Sequence, residues 1–354
     1  MALKEKLALI MTELTGLLNK FMDQITIVGS TTWGTTLAII NSMEGKDVVL
    51  LVRTEKESDM LNKNRENKRF LPGIFLPEKL KISSDTQNFI PRTTLLLIAV
   101  PSQTLRQNVR AMSTYISDST IVVSASKGLE ASSGMRMTEI IKEEVPTLSS
   151  DNICALSGPN LSDEILAGKP SSSVIASNNA STAKYAQSLL NCSYLRLYTN
   201  LDLTGVEICG ALKNITAIAA GICDGLDLGD NAKASIITRG LAEMARFGHS
   251  LGAEPSTFSG LAGMGDLIAT CSSGLSRNNK VGRMLAKNIP LEEIKRNMDN
   301  VAEGIETTKA VVAMSNKLNI DLPIANAVYN ILFDEVSVEN AGAELMGRTL
   351  TSEN

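Results

Sequence analysis

The first 200 residues alternate short apolar runs with stretches of helical periodicity, and this alternation constrains the fold more than any other feature. Runs rich in Val, Ile and Leu predict seven strands, at residues 24–28, 47–52, 95–100, 120–125, 153–157, 172–176 and 194–198. Helical patterns lie between several of them, at residues 35–43, 105–116 and 135–144. Such an alternation is typical of parallel strands that helices cover on both faces. The sequence therefore predicts an α/β, Rossmann-like doubly wound sheet domain.

Beyond about residue 200 the strand signals end and helical periodicity dominates. Helices are predicted at residues 205–223, 232–251, 279–286, 305–317 and 324–333. A chain of 354 residues is long for one core, so two domains are expected. We predict a Rossmann-like domain over residues 24–199, an all-α C-terminal domain over 200–340 and a tail over 341–354.

The segment that precedes the first strand has a helical pattern of its own. Apolar residues recur at four-three spacing: Leu3, Leu7, Ile10, Leu14, Leu17 and Phe21. This spacing predicts an amphipathic extension over residues 1–23, packed on its own body or on a partner. A remnant of an expression vector remains an alternative.

Composition excludes several classes of protein. The net charge of −4 argues against a nucleic-acid surface, and no run of about 18 apolar residues predicts a membrane span. The five cysteines are scattered with no CxxC pair, so neither a metal site nor a disulfide framework is expected. A reducing, cytoplasmic location fits this pattern. The one histidine, His249, lies in a stretch typical of a polar helix end, so a catalytic base of another type is expected.

The first strand ends at a glycine-containing turn where a dinucleotide fingerprint belongs. Gly29 and Gly34 occupy the outer positions of the GxGxxG pattern, but Thr31 stands at the middle one. A helix N-terminus with free N–H groups can bind a pyrophosphate there. A plain strand–turn–helix explains the degenerate motif equally well.

The second strand ends at Arg53 where NAD-binding domains place an acid. An arginine there can bind the 2′-phosphate of NADP, which slightly favours NADPH over NADH. A solvated arginine is the alternative.

Later motifs supply candidate polar groups. Lys127 follows the fourth apolar run, and Gly158 and Asn160 follow the fifth, where ligands bind in open α/β sheets. Lys213 lies in an apolar helix between Gly210 and Ala217, small neighbours that leave room for a substrate. A lysine whose charged end extends to solvent is the alternative.

One further run, Ser276-Arg277-Asn278, offers hydroxyl, guanidinium and amide donors in succession. These three groups together suit the recognition of a phosphate.

Together these motifs resemble the bacterial-type NAD(P)-dependent glycerol-3-phosphate dehydrogenase family over about residues 24–335. The stretches that carry the resemblance are GSTTWGT, NKRFLPGIFLPEKL, AVPS, SKGLE, LSGPN, GVEICGALKNITAIAAGICDGLDLG, TRGLAEM, TFSGLAGMGDL, TCSSGLSRN and AEGIETT. The resemblance implies a soluble, homodimeric enzyme that passes hydride between NAD(P)H and C2 of dihydroxyacetone phosphate, supplying glycerol 3-phosphate for glycerophospholipid synthesis.

The same resemblance implies roles for individual residues. Lys213 matches the proton-transfer group. Substrate positions are Lys127, Gly158, Asn160, Lys213, Asp266, Ser276, Arg277 and Asn278, and cofactor positions are Gly29, Thr32, Trp33, Gly34, Arg53, Lys127, Ser162, Arg277 and Glu303.

This chain departs from the family pattern at Thr31, at Asn160 and at residues 161–163. The alternatives are a related hydroxyacid-type reductase and a catalytically weak paralogue that binds nucleotide.

Overall fold

A computed structural model of the chain describes residues 23–298, 301–350 and 352. The predicted amphipathic extension lies outside these residues except for Asp23. Within the described ranges eight strands form one sheet: β1 Gln24–Val28, β2 Asp47–Leu51, β3 Lys81–Ser83, β4 Leu95–Ile98, β5 Ile121–Ser124, β6 Ile153–Ser157, β7 Ser171–Ala176 and β8 Leu195–Asn200. Their order across the sheet is β3-β2-β1-β4-β5-β6-β7-β8.

The strands pair in parallel except at one place. β7 runs antiparallel to β6, with Leu156 opposite Ile175, and β8 then pairs in parallel with β7. A parallel crossover normally needs a full helix, whereas the β6–β7 connection holds only a five-residue one. The sheet is therefore mostly parallel, which confirms the predicted Rossmann-like doubly wound domain.

Helices cover both faces of the sheet, which buries β1, β4, β5 and β6 almost completely. The helices of this domain are α1 Thr32–Met43, α2 Glu55–Asn64, α3 Thr86–Phe89, α4 Leu105–Met112, α5 Met137–Glu144, α6 Ser162–Leu166 and α7 Ala180–Leu190. The change of strand order between β1 and β4 opens a crevice at the carboxyl edge, where doubly wound domains bind their ligands.

The second part of the chain is helical. Its helices are α8 Leu203–Gly225, α9 Gly229–Ser250, α10 Pro255–Phe258, α11 Asp266–Ser272, α12 Arg277–Leu285, α13 Leu291–Arg296, α14 Glu303–Leu318, α15 Pro323–Phe333 and α16 Val338–Met346. One π-helical turn, Leu261–Gly265, leads directly into α11. Helix α16 continues to Met346, so the predicted boundary at residue 340 cuts through a helix.

Helix α8 is the core of this helical part. It is long and apolar enough to cross a membrane, but the protein buries all of its most apolar window. Two glycines let α12 approach it closely. A Cβ at Gly221 would lie 2.1 Å from the Asn279 carbonyl oxygen, and one at Gly282 would lie 2.0 Å from the Ile218 carbonyl oxygen. This close crossing brings the start of α12 near the middle of α8.

Candidate active site

Two lysines and one aspartate form a buried cluster between the sheet and the helical part. Lys213 Nζ lies 2.5 Å from Asp266 Oδ1, and Lys127 Nζ lies 2.7 Å from Asp266 Oδ2. Lys213 also donates to Thr270 Oγ1 at 2.7 Å, and Lys127 donates to the Gly158 carbonyl at 2.9 Å. The structure therefore brings together four of the residues predicted from sequence.

Each member of the cluster comes from a different element. Lys127 follows β5 and Gly158 follows β6, both at the carboxyl edge of the sheet. Lys213 lies in the middle of α8, and Asp266 is the first residue of α11. The cluster therefore exists only when the helical part is packed against the sheet.

A buried carboxylate holds α8 against the first domain. Glu207 accepts hydrogen bonds from the Thr138 backbone N–H at 2.9 Å and from the Arg136 guanidinium at 2.6 Å. Thr138 lies in the first turn of α5, where a carboxylate satisfies free backbone donors. This contact fixes the helix that carries Lys213 relative to the sheet.

The electrostatics of the cluster lower the pKa of Lys213. Burial lowers the pKa of Lys213 to about 8, and the charge of Lys127 acts in the same direction, although Asp266 opposes both. Burial would raise the pKa of Asp266, but the two ammonium groups outweigh it and hold that pKa below its usual range. Near neutral pH the carboxylate stays charged while Lys213 can gain or lose its proton.

Two glycines allow close packing beside the cluster. Gly158 has φ of +142°, and a Cβ there would lie 2.9 Å from Ser173 Cα. A Cβ at Gly210 would meet Ser157 Oγ at 2.8 Å and Lys127 Cγ at 3.4 Å. The space beside Gly210 thus holds the stem of Lys127, and room for a substrate beside Lys213 stays a prediction.

The three residues expected to bind phosphate point in different directions. Ser276 caps α12 by accepting from the Asn279 backbone N–H at 3.2 Å. Asn278 is buried and joins two helices, because it donates to Asn214 Oδ1 at 2.8 Å and accepts from the Gly304 N–H at 3.0 Å. Arg277 alone is exposed, and its Nη1 donates to the Val301 carbonyl at 2.9 Å.

Asn160 contributes one free donor beside the cluster. Its Oδ1 accepts from the Ser173 hydroxyl, whereas its Nδ2 is buried and has no partner among the described residues. An amide N–H in that position can donate to an oxygen of a bound substrate.

The glycine loop packs closely at the N-terminus of α1, a place that could hold a pyrophosphate. Gly29 adopts φ of +108°, and a Cβ there would lie 2.8 Å from the Ala99 carbonyl oxygen. A Cβ at Gly34 would lie 2.1 Å from the Gly29 carbonyl oxygen, so α1 can approach β1 only with glycine there. Thr31 is the N-cap of α1: its Oγ1 accepts from the Gly34 N–H at 3.1 Å and donates to the Ala99 carbonyl at 2.7 Å.

The start of α1 offers further groups to a dinucleotide. Thr32 Oγ1 contacts the Phe70 carbonyl at 3.4 Å, and the Trp33 indole packs on the core of the sheet domain. Trp33 Nε1 is buried and lacks a partner within the described part of the chain. Ser162 begins α6, which packs against α1. A glycine turn with positive φ, a helix N-terminus and an unpaired buried donor fit a nicotinamide dinucleotide.

Glu303 joins the two parts of the chain across the crevice. Its carboxylate accepts from the Ser102 backbone N–H at 3.1 Å and from the Ser102 hydroxyl. Burial raises the pKa of Glu303, although the bonds from Ser102 and the charge of Arg277 oppose this. Arg53, at the other end of the crevice, is exposed, and its side chain makes no hydrogen bond or ion pair with any described residue.

Thr270 contacts both Lys213 and Asp266 but was not among the residues predicted from sequence. Its hydroxyl donates to Asp266 Oδ1 at 3.2 Å and lies one helical turn beyond it. Their i,i+4 spacing gave no signal, because no helix had been predicted over residues 266–272.

Comparison with known families agrees with this geometry. The family described as NAD-dependent glycerol-3-phosphate dehydrogenase matches twice, with its N-terminal region at residues 24–183 and its C-terminal region at residues 202–343. The N-terminal match ends at residue 183, and the C-terminal match begins at residue 202, directly after β8.

Individual relatives match over nearly the whole chain. A glycerol-3-phosphate dehydrogenase (NAD(P)+) of Dehalococcoides mccartyi is 44% identical over 94% of this chain and 93% of its own. One from Chlorobium phaeobacteroides is 43% identical over 92% of this chain and 97% of its own. The crystal structure of glycerol-3-phosphate dehydrogenase from Coxiella burnetii superposes with a TM-score of 0.88 at 35% identity, covering 93% of this chain and all of that one.

Proposed function

The chain belongs to the NAD-dependent glycerol-3-phosphate dehydrogenase family, and we propose that Lys213 is the residue that moves the proton in its reaction. The protein is an oxidoreductase that interconverts sn-glycerol 3-phosphate and dihydroxyacetone phosphate with NADH or NADPH. The bound nicotinamide supplies the hydride acceptor or donor at C4. The observation that supports the role of Lys213 is its buried ammonium, held between Asp266 and Thr270 beside the crevice.

Lys213 acts in both directions of the reaction. When the ketone is reduced, the protonated Lys213 donates its proton to the C2 oxygen. When the alcohol is oxidised, the neutral amine accepts that proton. A pKa of about 8 keeps both forms accessible near neutral pH, which general acid–base catalysis requires.

Asp266 and Lys127 orient this group. Asp266 binds both ammonium groups and so fixes the direction of the Lys213 side chain. Two lysines against one carboxylate leave the cluster net positive while Lys213 is protonated. We propose that this charge attracts the phosphorylated substrate and that Lys127, Gly158 and Asn160 contact it.

The proposed phosphate contact comprises one residue, whereas the sequence suggested three. Arg277 is the exposed member of its triplet and lies at the first position of α12, where backbone N–H groups are free. We propose that Arg277 binds the substrate phosphate, while Ser276 and Asn278 hold the start of α12 in place.

The proposed cofactor contacts follow the carboxyl edge of the sheet. They are Gly29, Thr32, Trp33, Gly34, Arg53, Lys127, Ser162, Arg277 and Glu303. Arg53 supports a slight preference for NADPH, because a free guanidinium can bind a 2′-phosphate. A homodimer, a cytoplasmic location and a role in supplying glycerol 3-phosphate for phospholipids are proposed from the family resemblance.

One assay tests this function directly. Purified protein mixed with NADH or NADPH should lose absorbance at 340 nm when dihydroxyacetone phosphate is added, and unphosphorylated dihydroxyacetone should react far more slowly. Equal rates with the two ketones would contradict recognition of the phosphate. No absorbance loss with either cofactor would contradict the dehydrogenase function itself.

A further inference from the structure

A carboxylate lies at the adenosine end of the crevice, where the sequence showed only Arg53. Glu57, in the first turn of α2, folds back toward the end of β2. Its Oε2 accepts from the Arg53 backbone N–H at 3.3 Å, and its Oε1 accepts from the Ser30 hydroxyl. Glu57 therefore joins the loop after β2 to the glycine loop after β1.

This place corresponds to the ribose of a bound dinucleotide. The glycine loop holds the pyrophosphate, and the end of the second strand faces the ribose 2′ position in doubly wound domains. The two loops lie side by side here, since the Gly29 N–H donates to the Leu51 carbonyl at 3.0 Å. An acid that reads the 2′ position normally ends the second strand, whereas Glu57 reaches the same place from the following helix.

We propose that Glu57 is a specificity residue that favours NADH and opposes NADPH. The inference rests on the proposed cofactor site. A carboxylate accepts a hydrogen bond from a ribose 2′-hydroxyl, but it repels a 2′-phosphate, which carries close to two negative charges. Glu57 thus acts against Arg53 at the same rim of the crevice.

The Glu57 carboxylate can accept a further hydrogen bond, such as one from a ribose 2′-hydroxyl. An ionised carboxylate offers about four acceptor positions, and the described contacts of Glu57 use two. Helix α2 has a separate cap, because Thr54 Oγ1 accepts from the Glu57 N–H at 3.2 Å. The carboxylate is only half-buried, so a ligand in the crevice can reach it.

The opposed charges of Arg53 and Glu57 suit a site that accepts either cofactor. The exposed guanidinium makes no ion pair with Glu57 or with any other residue that the structure describes, so it remains available to a 2′-phosphate. Each residue favours one cofactor, and the balance between them sets the preference of the enzyme.

Binding measurements on Glu57→Gln test this inference without turnover. Trp33 is the only tryptophan in the sequence and lies beside the glycine loop, so its fluorescence reports cofactor binding. The variant should raise the affinity for NADPH relative to NADH about tenfold, because the repulsion is removed and the acceptor is weakened. The affinity for 2′,5′-ADP relative to 5′-AMP should rise as well. Glu57→Ala, which adds no amide donor, should shift both ratios in the same direction.

Glu55→Gln is the matched control. Glu55 lies in the same turn of α2, is exposed and makes no described side-chain contact, so the variant changes net charge equally without touching the crevice. Its ratios should stay within twofold of the parent. Unchanged ratios in both Glu57 variants, or an equal shift in the control, would overturn the role of Glu57. If the parent binds neither cofactor, the proposed cofactor site fails instead.

Discussion

Lys213 Nζ and Asp266 Oδ1 lie 2.5 Å apart, in a place where both residues are buried. This pair joins the core helix α8 to the start of α11, and Lys127 binds the second oxygen of the same carboxylate. Breaking a buried pair by removing one partner typically costs about 3–5 kcal/mol, because the other charge is left without compensation. The arrangement therefore holds the helical part and the sheet at the spacing that the site needs.

The pH dependence of ketone reduction should report the ionisation of Lys213. Only the protonated form can donate to the C2 oxygen, and burial lowers its pKa to about 8. For dihydroxyacetone phosphate, kcat/KM should therefore fall as the pH rises above about 8, whereas kcat/KM for glycerol 3-phosphate oxidation should rise over the same range. Initial rates from pH 6.5 to 9.5 measure both limbs.

Thr270→Val tests whether the ionisation of Lys213 causes the fall in kcat/KM at high pH. The hydroxyl of Thr270 accepts from Lys213 and so stabilises its charged form. Removing it should move the descending limb of ketone reduction to lower pH. A limb that stays in place would assign the ionisation to another group.

Arg277 should discriminate the substrate by its phosphate. Arg277→Leu removes a charge-assisted contact, so the KM for dihydroxyacetone phosphate should rise at least about tenfold. The ratio of kcat/KM for dihydroxyacetone phosphate to that for unphosphorylated dihydroxyacetone should fall as well. Lys280→Leu, an exposed cation within the same helix, is the control and should leave both values nearly unchanged. Equal effects of the two variants would show that the KM depends on the overall positive charge of this surface and not on a direct contact with Arg277.

Thr31 should limit cofactor affinity while it stabilises α1. Its hydroxyl is engaged with Gly34 and Ala99, so it is not free to donate to a phosphate. Thr31→Gly should tighten NADPH binding several-fold, or roughly 1 kcal/mol, because the Cβ no longer crowds the pyrophosphate. Thr31→Val keeps the bulk but removes both bonds, so it should lower the unfolding free energy by about 1–2 kcal/mol with no gain in affinity. Calorimetric titration and thermal unfolding measure the two effects, and weaker binding by the glycine variant would disprove the crowding argument.

Most of the sheet was predictable because its strands are buried on both faces. Continuous apolar runs marked seven strands, and their observed bounds differ from the predicted ones by only a few residues. Strand β3 was missed because its three residues, Lys81–Ser83, contain a single apolar side chain. Helix α2 was missed because its sequence is mostly polar. The antiparallel direction of β7 could not be predicted, since periodicity carries no information about direction.

Site residues could be predicted where a single polar or charged residue stands in a sequence context that is unusual for it. A lysine within the apolar run of α8 stood out, Lys127 stood out by its place after a strand, and the family resemblance indicated Asp266. Contacts between separate loops left no such signal: Glu57 and Ser30 meet only after β1 and β2 pair. Sequence also could not show that Asn278 would turn inward to Asn214 while its neighbour Arg277 turned to the surface.

The turnover of Lys213→Met tests the central claim most directly. Methionine keeps the length and apolar stem of lysine but cannot transfer a proton, and such catalysis contributes about 10²–10⁴-fold. We expect kcat for dihydroxyacetone phosphate to fall at least about 10²-fold, with NADPH affinity nearly unchanged. Lys233→Met, which removes a lysine bound to Asp224, should keep most of the activity. A folded Lys213→Met enzyme that retains more than about a tenth of the parent turnover would contradict the assignment of proton transfer to Lys213.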